Sequence, residues 1–193
     1  MTPRFPLRPL VFALAAMLFA SGCQTPVKPL PKPPVPVGKQ ARKESYWKDE
    51  GAPGAASIVV RLGEQRAYFY KGGKLVGEAN VSSGKKSFRT PAGNFKVTQK
   101  DKDHVSNLYG DFIDEAGEVV KKDVDASKDP VPEGATFRGA KMPYFLRFHG
   151  GYGMHAGRVP NYPASHGCVR LPGFMAEHFY SNSPSGTPVT ILD

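Results

Sequence analysis

MHAGRVPNYPASHGCVRLP, running from Met154 to Pro172, sets two histidines, a cysteine and an arginine among glycines, prolines and hydroxyls. A thiol becomes a strong nucleophile only as the thiolate, which needs a nearby base or positive surroundings. His155, His166 and Arg170 are each near enough in sequence to provide one or the other. Gly167 removes the side chain immediately before Cys168, which permits a tight backbone and lets amide N–H groups point at an attacked carbonyl oxygen. A helix beginning near Cys168 would add its free N–H groups to the same task.

Two other readings of these residues compete. His149, His155, His166 and Cys168 form a nitrogen and sulfur donor set that zinc accepts, although no paired CxxC or HExxH element is present. Alternatively Cys168 is an inert buried thiol beside hydrogen-bonded histidines. Glycines at 150, 151, 153, 157 and 167 would fill such a core poorly.

The N-terminus bears on the thiol. MTPRFPLRPLVFALAAMLFASGC places Arg4 and Arg8 before an apolar run from Leu10 to Ala20, and Ala20, Ser21 and Gly22 lead into Cys23. Eleven apolar residues are too few for a spanning helix, which needs about twenty. The run resembles the bacterial lipoprotein signal, with Ala20 where leucine is usual. That resemblance implies cleavage of residues 1–22 and lipidation of Cys23. Gln24, which is not aspartate, then points to the outer membrane of a Gram-negative cell. Cys168 is the chain's other cysteine, so an exported protein would hold it without a disulfide partner. Cleavage would take Arg4 and Arg8 from the net charge of +9 and leave +7, which suits anionic wall polymers or lipid head groups; nucleic acid is not expected outside the cytoplasm.

Residues 23–56 read as a tether. Pro26 to Pro36 contains six prolines in eleven residues, a composition that favours extended polyproline II. Residues 57–193 are enough for one domain with its own core. The runs SIVVRL, RAYFYK, KLVGEANVSS, GNFKVTQK, YFLRFH and TPVTIL predict strands, with a hairpin around Gly72-Gly73. PGFMAEHFYSN predicts a helix from Pro172 with Phe174, His178 and Phe179 on one face. Between Asp101 and Glu133 ten acids face four lysines. That stretch reads first as a solvated loop and second as a lid over a basic site.

SHGCVR, preceded by GYGMHAG, resembles the signature of the L,D-transpeptidases of the YkuD family, cysteine enzymes that remodel peptidoglycan. VSSGKKSFRTPAGNFKV (Val81 to Val97), MPYFLRF and EQRAYFYKGGKLV are similar to further segments of that family, so the resemblance spans roughly Ser57 to Asp193. It implies a mostly β fold, a β-sandwich-like catalytic domain with one or two short helices. It also implies Cys168 as nucleophile and His155 as its proton-shuttling partner, with the Ala156 carbonyl orienting the ring. Backbone N–H groups of Gly167 and Cys168 would form the oxyanion hole. Ser165 and His166 belong to the motif's frame and, with Arg170, to the substrate-binding side. Arg170 would bind a stem carboxylate, or else form a structural ion pair. His149 and His178 remain without a role, and His104 carries no signal.

The implied reaction is acyl transfer without cofactor or metal. A tetrapeptide stem forms a thioester, D-alanine leaves, and an amine accepts the acyl group. The acceptor is another stem, which gives a 3→3 cross-link, or an envelope protein, which becomes anchored to the wall. With water the same fold would be a carboxypeptidase or endopeptidase; a non-catalytic wall-binding lipoprotein is the alternative outside enzymes. The expected location is the periplasmic face of the cell envelope, reached through the N-terminal lipid.

Overall fold

The computed structural model describes residues 44–160 and 162–193. The expected signal, Cys23 and the proline run lie outside them. In chain order the first strands are β1 (Tyr46–Trp47), β2 (Ala56–Arg61), β3 (Arg66–Lys71), β4 (Lys74–Asn80), β5 (Gly93–Lys96) and β6 (Gln99–Asp101). There follow β7 (Val105–Ile113), β8 (Val119–Asp125), β9 (Thr136–Lys141), β10 (Phe145–His149), β11 (Tyr152–Ala156) and β12 (Val169–Leu171). Helix α1 (Gly173–Asn182) precedes the last strand, β13 (Pro188–Leu192), and a short 3-10 turn occupies Lys86–Phe88. Each of the six apolar runs of the sequence forms a strand. The hairpin turns where expected: Lys71 faces Lys74, and Gly72 and Gly73 both have positive φ, 53° and 84°, as a type I′ turn demands.

Three sheets result. The largest has the order β1-β4-β3-β2-β13-β5, a second β12-β11-β10-β6, and a third β8-β7-β9. Alternation along β2 and β3 sends Ile58, Val60, Ala67 and Phe69 into the main core, while Val59, Tyr68 and Tyr70 make a smaller buried cluster. Leu146, Phe148, Met154, Val169 and Leu171 bring the four-stranded sheet into that main core, so the domain is a sandwich of the two larger sheets.

Helix α1 closes the core with Met175, Ala176 and Phe179. Phe174 does not share that face; it is half exposed, because the turn set by Pro172 aims Met175 and Phe179 inward, one helical turn apart. His178 stacks on Trp47 with ring centres 4.7 Å apart, and Trp47 also meets Phe69 at 5.1 Å. The folded part therefore begins before Ser57, since the end of the expected tether supplies β1, paired with β4 through Tyr46 and Trp47.

Two expectations give way. No helix begins at Cys168: Val169 and Leu171 are fully buried, and β12 pairs in parallel with β11, so the backbone there is extended. Nor is the acidic stretch a solvated loop. Residues 105–125 make β7 and β8, and β9 completes their sheet. Phe112 and Val124 are fully buried, and Phe112 meets Phe137 edge-on at 6.2 Å, so a few apolar side chains suffice to fold a segment whose charge count hides them.

Candidate active site

The parallel pairing of β11 with β12 assembles the centre. Met154 lies opposite Val169 and His155 opposite Arg170. Met154 and Val169 point into the core, so by alternation His155, Arg170 and the preceding Cys168 share the outer face. On that face Cys168 lines two adjoining cavities of about 300 and 260 Å³. The three-stranded sheet roofs both: Gly110, Asp111 and Asp123 border the larger, and Ser106, Asn107 and Leu108 the smaller. Tyr109, Met142 and His166 border both.

The loop before Cys168 is held from within. Ser165 is buried; its hydroxyl accepts from the Gly167 N–H at 3.0 Å and donates to the Cys168 carbonyl at 2.5 Å. Ser165 thus borders the larger cavity but spends its hydroxyl on the loop. Gly167 has φ +114°, and a Cβ there would come within 2.4 Å of the Tyr152 ring. Neighbouring strands brace the loop further. Thr90 Oγ1 donates to the Gly167 carbonyl at 2.7 Å and accepts from the Gly84 N–H at 3.0 Å. Ser82 exchanges both backbone hydrogen bonds with Arg170, at 3.0 and 2.9 Å.

These contacts bear on the oxyanion hole. The Gly167 N–H is already engaged by Ser165, which removes it as a free donor. The Cys168 N–H has no hydrogen-bond partner among the described residues and remains available.

His155 is buried at the inner end of the larger cavity, and its Nδ1 donates to the Ala156 carbonyl at 2.9 Å. That bond fixes the tautomer and leaves Nε2 as a proton acceptor. Burial lowers the imidazole to about 4; the Ala156 carbonyl resists the shift, and Arg170 and His104 add to it. Burial also raises the Cys168 thiol, against a hydrogen bond from the Gly153 N–H and the charges of Arg147 and Arg170. At neutral pH both groups are uncharged. The thiol also makes a weak contact with the Gly151 carbonyl, 3.9 Å away.

Arg170 lines the larger cavity and lies along Gly157. Among the described residues it has no carboxylate partner within ion-pair distance, so its charge faces the cavity. His166 is clamped between rings, stacked on Tyr109 at 4.6 Å and edge-on to Phe88 at 4.7 Å, with Lys85 Nζ 3.1 Å from its Nε2. Burial and the Lys85 charge lower its pKa.

Among the described residues no three His, Cys, Asp or Glu side chains gather as metal ligands. His149 packs against Phe95 at 4.9 Å instead. Residues without a role in the sequence reading also build the site: Thr90 braces the loop, and Tyr109 and His104 line its cavities. The TP pair at 90–91 lay within a segment already noted, but nothing in the acidic run marked Tyr109 or His104.

The profile of the YkuD family, the L,D-transpeptidase catalytic domain, matches residues 55–191. Among solved structures, an L,D-transpeptidase from Stackebrandtia nassauensis is similar at 20% identity and TM-score 0.53, over 76% of this chain and 60% of that one. One from Mycobacterium smegmatis gives 20% and 0.56 over 72% of this chain and 59% of that one. The Enterococcus faecium L,D-transpeptidase, solved as a cysteine-to-serine mutant, gives 26% and 0.52 over 72% and 50%. The chain thus spans less than two thirds of the length of these relatives. No curated relative matches the sequence.

Proposed function

Since this chain belongs to the YkuD family of L,D-transpeptidase catalytic domains, we propose that it is a peptidoglycan transpeptidase working through a Cys168 thioester. The observation that carries this reading is the thiol of Cys168 bordering the same cavity as an imidazole whose free nitrogen is Nε2.

The neutral resting pair supports attack with concurrent proton transfer. His155 Nε2 takes the thiol proton as sulfur bonds to the carbonyl carbon of the third stem residue. The Cys168 N–H receives the developing oxyanion, and His155 then protonates the nitrogen of the departing D-alanine. Arg170, unpaired and facing the larger cavity, holds a carboxylate of the donor stem. Donor binding in the larger cavity leaves the smaller one, which Cys168 also lines, for the acceptor amine. The roof then touches the acceptor through Ser106, Asn107 and Leu108, while its carboxylates Asp111 and Asp123 border the donor. Anchorage through a lipidated Cys23 on the outer membrane, with residues 24–43 as spacer, completes the proposal.

The test uses a protein of residues 44–193, which keeps β1, beside its Cys168→Ala variant. Each is incubated with purified disaccharide-tetrapeptide and the products are read by mass spectrometry. A cross-linked dimer lacking one D-alanine, absent with the variant, is expected. A tripeptide monomer alone would identify a hydrolase. No Cys168-dependent product with stem or protein-amine acceptors would reject the proposal. Replacing Asn107 and Leu108, which border the smaller cavity and not the larger, by alanine should change the acceptor used while leaving thioester formation intact; unchanged product ratios would remove the roof from acceptor binding.

A further inference from the structure

Three imidazoles stand near Cys168, and they differ in what they can do. His155 lines the larger cavity. His166 lines both, but its Nε2 accepts from Lys85 Nζ at 3.1 Å, so its other ring nitrogen carries hydrogen and cannot take a proton. His104 lines the smaller cavity together with Cys168. Its Nδ1 donates to Asp101 Oδ2 at 3.0 Å, which leaves Nε2 with a lone pair.

The His104–Asp101 pair is held firmly. The His104 ring stacks on Phe145 with centres 4.2 Å apart and planes 23° from parallel. Asp101 pairs with Phe145 across β6 and β10, and its second oxygen accepts the Asp103 N–H at 3.2 Å. One-fifth of the His104 side chain is exposed, so the ring is fixed yet reachable. A carboxylate that orients an imidazole lining the same cavity as a nucleophile is a general-base arrangement. Packing against Phe145 alone would not require the carboxylate.

Cys168 lines both cavities, so an acceptor can approach its thioester through the smaller one, while His155 borders only the larger. His155 serves the side from which D-alanine leaves. An amine arriving through the smaller cavity meets a different base. We infer that His104, oriented by Asp101, is the general base of the transfer step and takes the proton of the acceptor amine. This rests on the transpeptidase reading above. In the step the amine nitrogen bonds to the carbonyl carbon and the carbon–sulfur bond breaks. The amine proton passes to His104 Nε2 and is delivered from there to the departing thiolate, so both imidazoles end neutral. One proton moves, net, from nitrogen to sulfur.

The experiment compares the full chain with its His104→Gln and Asp101→Asn variants. Disaccharide-tetrapeptide is the donor, and disaccharide-tripeptide or hydroxylamine the acceptor. Intact-protein mass follows the acyl-enzyme and chromatography follows the product. His104→Gln should acylate at the wild-type rate, accumulate thioester, and transfer to the tripeptide amine slower by roughly 10²-fold or more. Transfer to hydroxylamine, a weak base that needs no help to shed its proton, should be unchanged. Asp101→Asn should lie between the two proteins. Wild-type transfer by His104→Gln would overturn the inference, as would an equal loss in acylation or an equal loss with hydroxylamine. A wild-type protein that forms no acyl-enzyme would instead sink the transpeptidase reading beneath it, an outcome no His104 variant imitates.

Discussion

Burial keeps the proton on Cys168 and off His155, and each of these shifts can be measured. Alkylation of Cys168 by iodoacetamide should be slow at pH 7 and should rise with pH through values above 9.0, the ordinary thiol figure. A plateau already reached at pH 6 would mean a preformed ion pair instead. His155 takes its proton near pH 4 when folded and near 6.5 when unfolded, so the unfolded chain protonates first as pH falls. Its contribution to stability is complete above pH 6.5, declines between 6.5 and about 4, and is constant below that. The loss should come to roughly 3 kcal/mol. Urea melts of wild type and His155→Gln at pH 7 and pH 4 should show the variant gaining on the wild type by about that amount. Gly167→Ala places a β-carbon against Tyr152 at φ +114°, and strain of about 1–3 kcal/mol should lower the melting temperature and slow acylation together. Cys168 and His155 stood out in the sequence because polar, reactive side chains among glycines make poor core. Thr90 and His104 did not, since what they do depends on neighbours brought close by folding: Thr90 meets Gly167 from 77 residues away.

Strands were legible where apolar residues recur on at least one face, as in β2, β3 and β13, and illegible where few apolar residues sit among many charges. The roof is the clearest instance. In β8, VVKKDVD, Val124 is the fully buried residue, and two lysines and two aspartates mask the alternation. Cys168 failed differently: a glycine followed by a small residue looks like a helix start, but Val169 and Leu171 have their places in a sheet. At the other end, β1 was read as tether because two residues carry no periodicity. Its worth lies in Trp47, which sits over Gly77 and between Phe69 and His178. A protein starting at residue 57 should therefore be less stable than one starting at residue 44, by about 2 kcal/mol, the cost of removing a large, partly buried ring packed against the core. Trp47→Ala in the longer protein should reproduce most of that deficit in a denaturant titration. Equal stabilities would show β1 to be peripheral.

Across the whole molecule, charge is divided as unevenly as function. Within residues 57–193 but outside 101–133, fourteen Lys and Arg stand against four acids, and the roof reverses the balance. Binding to an anionic wall polymer should accordingly weaken as salt is raised, which sedimentation with purified peptidoglycan would register. The largest sheet closes in an unusual order: β13 lies between β2 and β5, with Ile58 beside Val189 and Val60 beside Ile191. Its neighbours come from far earlier in the chain, so the last strand is the wedge that joins them. Removing residues 188–193 should leave an amide-exchange pattern without protection in β5 and in those β2 amides that face β13 rather than β3. This order has a consequence in time. While the chain is being made, the sheet behind the thiol stays open until residue 192 has left the ribosome. A chain that must cross a membrane unfolded would then reach the translocation machinery before it could lock itself shut.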